Sequence, residues 1–189
     1  MDNKNLLTTA TVGLSALALG LFIGSRGKNR APTQLTKTKP LPTTVSNAKF
    51  KLALCQLMAI DDKKHNLKRA AEMVKEAASK GADVIMLPEM FTCPYTKEWM
   101  LKEKEYASED NQGETYKMLS SLAQETGKYI IGGSIPEQVE NSEKIYNTCL
   151  CFDKSGKLAV KHRKIHLFDV NIPGGIVFQE SDFIYPGDA

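Results

Sequence analysis

Residues 50–89 read FKLALCQLMAIDDKKHNLKRAAEMVKEAASKGADVIMLPE, and this stretch decides the fold. Phe50 to Leu57 is a short apolar run, the pattern of a strand. Asp61 or Asp62 then stands where a helix N-cap is wanted, because a carboxylate there accepts from the free amides of the first turn. Leu67, Ala70, Ala71, Val74, Ala77 and Ala78 recur at helical spacing. Gly81 sits at the left-handed position that closes such a helix. Ala82 to Leu87 is a second apolar strand, stopped by Pro88. A strand, a capped helix and a strand within this length form a right-handed crossover, and therefore two parallel strands.

Downstream the alternation continues. Thr96 to Gly113 is polar, with a helical middle at WMLKEKEYA. Glu114 to Thr126 is a second full helix, striped by Met118, Leu119, Leu122 and Ala123 and stopped by Gly127. Tyr129–Ser134, Ile145–Phe152 and Lys157–Lys161 are strands. The last two are joined as a hairpin by the turn Asp153-Lys154-Ser155-Gly156. Glu137 to Glu143 is polar and reads as a surface loop. The expectation is a layered α/β domain with a mixed sheet, starting near Lys49 and running to residue 189.

Upstream the composition changes. The chain of 189 residues has a net charge of +3, but residues 1–51 alone carry +7, which leaves −4 for residues 52–189. The basic surplus belongs to the tail, and a folded part without basic surplus argues against a nucleic-acid binder. Leu6 to Gly24 (LLTTATVGLSALALGLFIG) carries no charge and approaches the ~20 residues that span a bilayer core as helix. A secretory signal peptide would want a basic start and a small-residue cleavage site, and a mitochondrial presequence would be Arg-rich. A retained anchor fits better. Arg26, Lys28 and Arg30 follow it, which places the C-terminal domain in the cytosol. By analogy the membrane is the mitochondrial outer one, with the mitochondrial matrix or the cytoplasm as the alternative. Residues 1–30 are thus read as an anchor or targeting segment. Residues 31–48, rich in Thr, Pro and Lys, are read as a disordered tether. The four cysteines, Cys55, Cys93, Cys149 and Cys151, form no zinc or disulfide pattern, and a reducing compartment is the simpler inference.

Three stretches carry chemistry. Leu87-Pro88-Glu89 lies at the carboxyl end of the second strand, where ligands of α/β sheets gather. Glu89 is either a solvated loop residue or a partly desolvated base with a raised pKa. Lys161-His162-Arg163-Lys164-Ile165-His166-Leu167-Phe168-Asp169 follows the fifth strand. A basic run is usually a solvated face. This one is interleaved with apolar residues, and a Lys held beside a carboxylate could stabilise charge developing on a carbonyl oxygen. Phe178-Gln179-Glu180-Ser181, with Tyr185-Pro186-Gly187-Asp188 after it, reads alone as a loop near a turn.

Taken together, in this order and spacing, LPE, HRKIHLFD, FQES and PGD closely resemble the nitrilase superfamily of carbon–nitrogen hydrolases, and within it the omega-amidase branch. KLALCQL and the Gly132–Glu137 segment agree. The resemblance runs from about Phe50 to Ala189. It implies a four-layer αββα sandwich, of which this chain holds the N-terminal portion, with one sheet face left uncovered. It also implies a Glu-Lys-Cys site. Glu89 matches the general base, Lys164 the catalytic Lys, Glu180 a second carboxylate that helps position substrate, and Tyr95 a pocket residue. The implied substrate is a small amide, the omega-amide of 2-oxoglutaramate or 2-oxosuccinamate, with no metal or organic cofactor. A homodimer is compatible with the family.

The nucleophile is the departure. The family places it some tens of residues past the catalytic Lys, in a G-x-x-x-C-Y-D-like motif, and that motif does not occur here. Cys55 reads as core. Cys149 and Cys151 share one face of the fourth strand. Cys93 could border the pocket but lies on the wrong loop. The expectation is therefore a fragment, a truncated gene model or a shortened isoform, inactive by itself. The competing reading is a real short product that serves as a membrane-tethered binding or dimerisation partner.

Overall fold

The structure, a computed structural model, describes residues 7–11 and 49–188. Its elements in chain order are β1 (Leu7–Thr11), β2 (Lys51–Cys55), α1 (Lys63–Ser79), β3 (Val84–Met86), α2 (Lys97–Lys102), α3 (Glu114–Thr126), β4 (Tyr129–Ile131), β5 (Ile135–Gln138), β6 (Ile145–Phe152), β7 (Leu158–Arg163), β8 (Asp169–Asn171) and β9 (Val177–Gln179). A 3-10 turn follows at Glu180–Asp182.

The expected crossover is present. Asp62 caps α1, its Oδ1 accepting from the His65 amide at 3.0 Å, and Gly81 beyond the helix has φ +80°. The strands flanking α1, β2 and β3, pair in parallel, Leu52 opposite Val84 through Leu54 opposite Met86. Strand β4 adds in parallel to β3, and β6 runs antiparallel to β4, β5 and β7. The sheet order is β1-β2-β3-β4-β6-β5, with β7 on β6, so the sheet is mixed. β8 and β9 form a separate antiparallel hairpin.

The alternation of strand side chains sorts the two faces. Ala53, Cys55, Ile85, Ile130, Leu150 and Phe152 point toward α1 and α3 and form the main core with Met73, Val74 and Leu119. Tyr116 meets Phe152 edge-on, ring centroids 5.0 Å apart. On the opposite face Leu54, Val84 and Ile131 are half-buried and Met86 is 40% exposed. Among the described residues the long helices cover one face only. A second, smaller core gathers Met90, Cys93, Met100, Ile145, Phe183 and Ile184, and binds α2 to the C-terminal segment.

Three expectations are corrected. Of the loop expected over Glu137–Glu143, Glu137 and Gln138 belong instead to strand β5, because Glu137 is turned inward to meet the basic residues of β7. Residues 169–179 are a hairpin, whose φ +72° at Gly174 supplies the turn. The helix expected over WMLKEKEYA ends at Lys102, after which Glu105 bridges to Glu137 in extended form. Where the structure describes part of the 6–24 stretch, β1 pairs antiparallel with β2, Leu7 opposite Cys55 through Thr11 opposite Lys51. Among the described residues no helix is long and apolar enough to cross a membrane. The rest of 6–24, and the tether at 31–48, lie outside the described residues.

The turn that carries Glu89 is built by the segment after β4. Leu87 N donates to Ile131 O at 3.0 Å, Ser134 N to Pro88 O at 3.3 Å, and Met90 N to Ser134 Oγ at 3.0 Å. Met90 is left-handed at φ 50°, and its burial in the second core offsets that cost. Gly133 makes the approach possible: at φ +59° a Cβ there would lie 2.1 Å from the Pro88 carbonyl oxygen. Gly133→Ala is expected to lower the unfolding free energy by more than about 1–2 kcal/mol, the left-handed cost alone, in urea titrations of the chain.

Candidate active site

The end of β3, the end of β7 and the 3-10 turn after β9 converge on one ammonium. Lys164 Nζ lies 3.0 Å from Glu89 Oε1, 3.1 Å from Glu180 Oε1 and 3.2 Å from the Tyr95 phenol oxygen. A lysine has three N–H donors, and all three have an acceptor. The four residues assigned through the family resemblance, Glu89, Tyr95, Lys164 and Glu180, thus meet in one cluster.

The two carboxylates are held differently. Glu180 is fully buried and both of its oxygens are used: Oε1 accepts from Lys164 and Tyr95, and Oε2 from the Phe168 amide at 2.6 Å. A carboxylate so engaged positions others and fixes the loop at Phe168. Glu89 is half exposed, with contacts on Oε1 alone: Lys164, Asn147 Nδ2 at 2.8 Å and Tyr95 at 3.0 Å. Among the described residues nothing hydrogen-bonds its Oε2, so Glu89 keeps an oxygen for chemistry.

Charge states follow from these contacts. Burial pushes Glu89 up, but hydrogen bonds from Lys164, Tyr95 and Asn147 outweigh it and hold the carboxyl below the ordinary range. The raised value expected from desolvation is therefore corrected, and Glu89 is ionised at neutral pH. Burial pushes Lys164 down, but the two carboxylates prevail and keep it charged above the ordinary lysine range. Burial and the neighbouring carboxylates push the Tyr95 phenol far up, so it remains a protonated donor.

The charged pair stands between two clefts. One, of about 500 Å³, is walled by Tyr95, Phe168, Ile176, Val177 and Phe178. The other lies along the open sheet face and includes Ile131, Asn147, Cys149 and His162; Glu89 and Lys164 line both. The apolar walls come from the β8–β9 hairpin, which the sequence did not announce as a strand pair. Asn147 was missed as well, although a polar residue in the apolar strand IYNTCLCF must find a partner when buried.

Two of the four cysteines are core, whereas Cys149 lines the second cleft. Cys55 belongs to the main core and Cys93 to the second, and burial pushes each thiol up to about 11. Cys93 does not border either cleft. The Cys149 and Cys151 sulfurs share one strand face, 4.0 Å apart. Their mutual hydrogen bond and burial push Cys149 far up, while the same hydrogen bond, working against burial, lowers Cys151 to about 7. Among the described residues no three His, Cys, Asp or Glu side chains cluster as metal ligands would.

The position of Lys164 is set by its neighbour. Arg163 reaches Glu137 with Nε at 2.8 Å and Nη2 at 2.7 Å, Lys161 adds a contact at 2.5 Å, and Thr148 donates at 2.6 Å. Residues 163 and 164 point to opposite sides of the chain, so clamping Arg163 on the buried Glu137 turns Lys164 toward Glu89.

Glu89 and Lys164 are thus paired at strand ends of a mixed α/β sheet. Residues 51–189 match the carbon-nitrogen hydrolase family. The chain belongs to that family. It is 51% identical over 142 residues to the omega-amidase NIT2 of Xenopus tropicalis, covering 75% of this chain and 49% of that protein. To the omega-amidase NIT2 of Mus musculus it is 49% identical over 140 residues, with 74% and 49% covered. Among solved structures it resembles Saccharomyces cerevisiae Nit3, a member of branch 10 of the nitrilase superfamily, with a TM-score of 0.65 and 35% identity over 74% of this chain and 49% of the other. The chain spans about half the length of the curated relatives it matches.

Glu137 predicts a pH dependence. Burial raises its pKa, but Arg163 and Lys161 outweigh this and hold it below the ordinary range. A carboxylate lowered on folding adds stability above its unfolded value, about pH 4.3, and that stability is lost as pH falls through the folded value. The melting temperature is expected to fall on acidification below about pH 4.3. Glu137→Gln should cost about 1–3 kcal/mol at neutral pH and flatten that acid limb; an unchanged limb counts against the clamp.

Proposed function

We propose that this site hydrolyses the carbon–nitrogen bond of a small amide through a covalent thioester, with Glu89 as general base and Lys164 as the oxyanion's counter-charge. The observation that carries the reading is Lys164 Nζ lying 3.0 Å from an ionised Glu89 at the mouth of a 500 Å³ cleft. A thiol gives its proton to Glu89 and its sulfur bonds to the amide carbon. The carbonyl electrons move to oxygen, facing Lys164. Because all three Lys164 hydrogens have acceptors, the oxyanion must displace one, and the longest contact, to the neutral Tyr95 oxygen at 3.2 Å, is the one that yields. Glu89 returns the proton to the departing nitrogen, and ammonia leaves. Water then gives a proton to Glu89 and attacks the thioester, and the freed thiolate recovers that proton.

The nucleophile in this proposal is the family's cysteine rather than Cys55, Cys93, Cys149 or Cys151. The raised thiols of Cys55, Cys93 and Cys149 support this. Cys151 points along the open sheet face and lines neither cleft. The 189-residue chain is therefore expected to be inactive by itself. The substrate is the omega-amide of 2-oxoglutaramate or 2-oxosuccinamate, a reading supported by about 50% identity to omega-amidases.

A second reading is favoured by the open sheet face with Met86 at 40% exposure. In that reading a short, inactive product uses the face to bind a partner or a second copy. Attachment to a membrane through residues 6–24, with the domain in the cytosol, is proposed from the uncharged sequence alone. It would require Leu7–Thr11 to leave β2, and carbonate extraction of cell membranes tests it.

In a chain extended through the family's cysteine, 2-oxoglutaramate should release ammonia, and Glu89→Gln should lower kcat by at least about 100-fold, the scale of a lost general base. Turnover of a nitrile with 2-oxoglutaramate inert would reject the substrate; full activity in Glu89→Gln would reject the mechanism. Amide turnover by the 189-residue chain that disappears in Cys149→Ser would move the nucleophile to Cys149.

A further inference from the structure

Asn147 touches three of the four residues of the site. It is 2% exposed and lies in β6. Its Nδ2 donates to Glu89 Oε1 at 2.8 Å and approaches the Tyr95 oxygen at 3.3 Å. Its backbone carbonyl accepts from the Lys164 amide at 2.8 Å. One residue therefore ties together Glu89, Tyr95 and Lys164, which come from three separate segments.

The count of hydrogens gives this contact its meaning. Tyr95 has a single O–H, shared between two carboxylates. Glu180 is fully buried whereas Glu89 is half exposed, and the phenol lies closer to Glu180 than to Glu89. Its single hydrogen is therefore only a shared donor to Glu89. The remaining donors on Glu89 Oε1 are Lys164 and Asn147. Lys164 divides its hydrogens among Glu89, Glu180 and the Tyr95 oxygen and must also meet an oxyanion, whereas Glu89 is the one carboxylate to which Asn147 donates, and at the shorter distance.

We infer that Asn147 is a positioning residue: it pins Oε1 of Glu89 throughout the reaction and so presents Oε2 as the proton-accepting atom. This rests on the hydrolase reading for its catalytic meaning, but the clamp itself is a property of the folded chain. An amide suits the place. It donates to the ionised carboxylate without adding charge, whereas a second cation would compete with the substrate for Lys164. Among the described residues the charged and titratable groups in contact with Glu89 or its partners are Lys164, Tyr95 and Glu180, and Cys149 and His162 line the same cleft.

The test is nuclear magnetic resonance on the 189-residue chain as it stands. The Asn147 side-chain amide signal should shift with the same midpoint as the Glu89 carboxyl, and that shift should vanish in Glu89→Gln, whose exposed position leaves the fold intact. A signal that does not titrate, or titrates unchanged in Glu89→Gln, overturns the clamp without needing any Asn147 variant. Asn147→Asp, nearly isosteric, should raise the Glu89 midpoint and Asn147→Ala should raise it less; an unmoved midpoint in a folded variant overturns the clamp as well. In the chain extended through the family's cysteine, the acidic limb of kcat/KM should move up with the Glu89 midpoint while KM changes little. If the wild-type signals titrate as expected but the extended chain releases no ammonia from amides, the hydrolase reading fails and the clamp stands.

Discussion

The arrangement depends on a single ammonium placed between two carboxylates. Lys164 comes from the end of β7, Glu89 lies 75 positions before it, and Glu180 lies 16 positions after it. Two carboxylates brought this close without a cation would not both stay ionised, because like charges at such a separation raise one pKa sharply. The lysine resolves that conflict, and each carboxylate in turn keeps the lysine charged. Removing Lys164 leaves two carboxylates without their cation, so the elements that carry the three charges are energetically joined although distant in sequence.

This constraint explains much of the surrounding structure. The Gly132–Ser134 segment exists to hold the Leu87–Met90 turn, with Gly133 giving the close approach to Pro88 and Ser134 accepting from Met90. Strand β5 exists to supply Glu137, whose bidentate hold on Arg163 fixes the register of β7 and hence the side on which Lys164 projects. The Phe168 amide closes the remaining oxygen of Glu180 and anchors the base of the β8–β9 hairpin. The hairpin in turn walls the larger cleft with Ile176, Val177 and Phe178. Dry walls beside a charged pair strengthen its interactions, since screening by water is reduced there.

The two carboxylates also show how environment divides roles between identical side chains. Glu180 is buried with both oxygens engaged, which closes it to a reacting group. Glu89, held by one oxygen, is open on the other. Its lowered pKa shows that specific donors can outweigh desolvation, so burial alone was a poor guide to its charge state.

Much was legible in the sequence because it is local. The strand, capped helix and strand of residues 50–87, and the stops at Gly81 and Gly127, follow from hydrophobic period and backbone geometry. Apolar run and helical stripe say which face is buried wherever the chain folds. Through the family resemblance the motifs also named Glu89, Tyr95, Lys164 and Glu180. What the sequence could not say is what lies beside what. Glu137 looked like a loop residue because its partners sit on another strand, and Asn147 looked like an interruption because the carboxylate it holds is 58 positions away. The 169–179 hairpin was hidden because its stability comes from pairing and not from its own period. Tertiary structure alone decided that Glu180 is buried with both oxygens engaged while Glu89 keeps one oxygen open, since hydrogen-bond counts and burial are properties of neighbours, and neighbours are assigned only when the sheet closes.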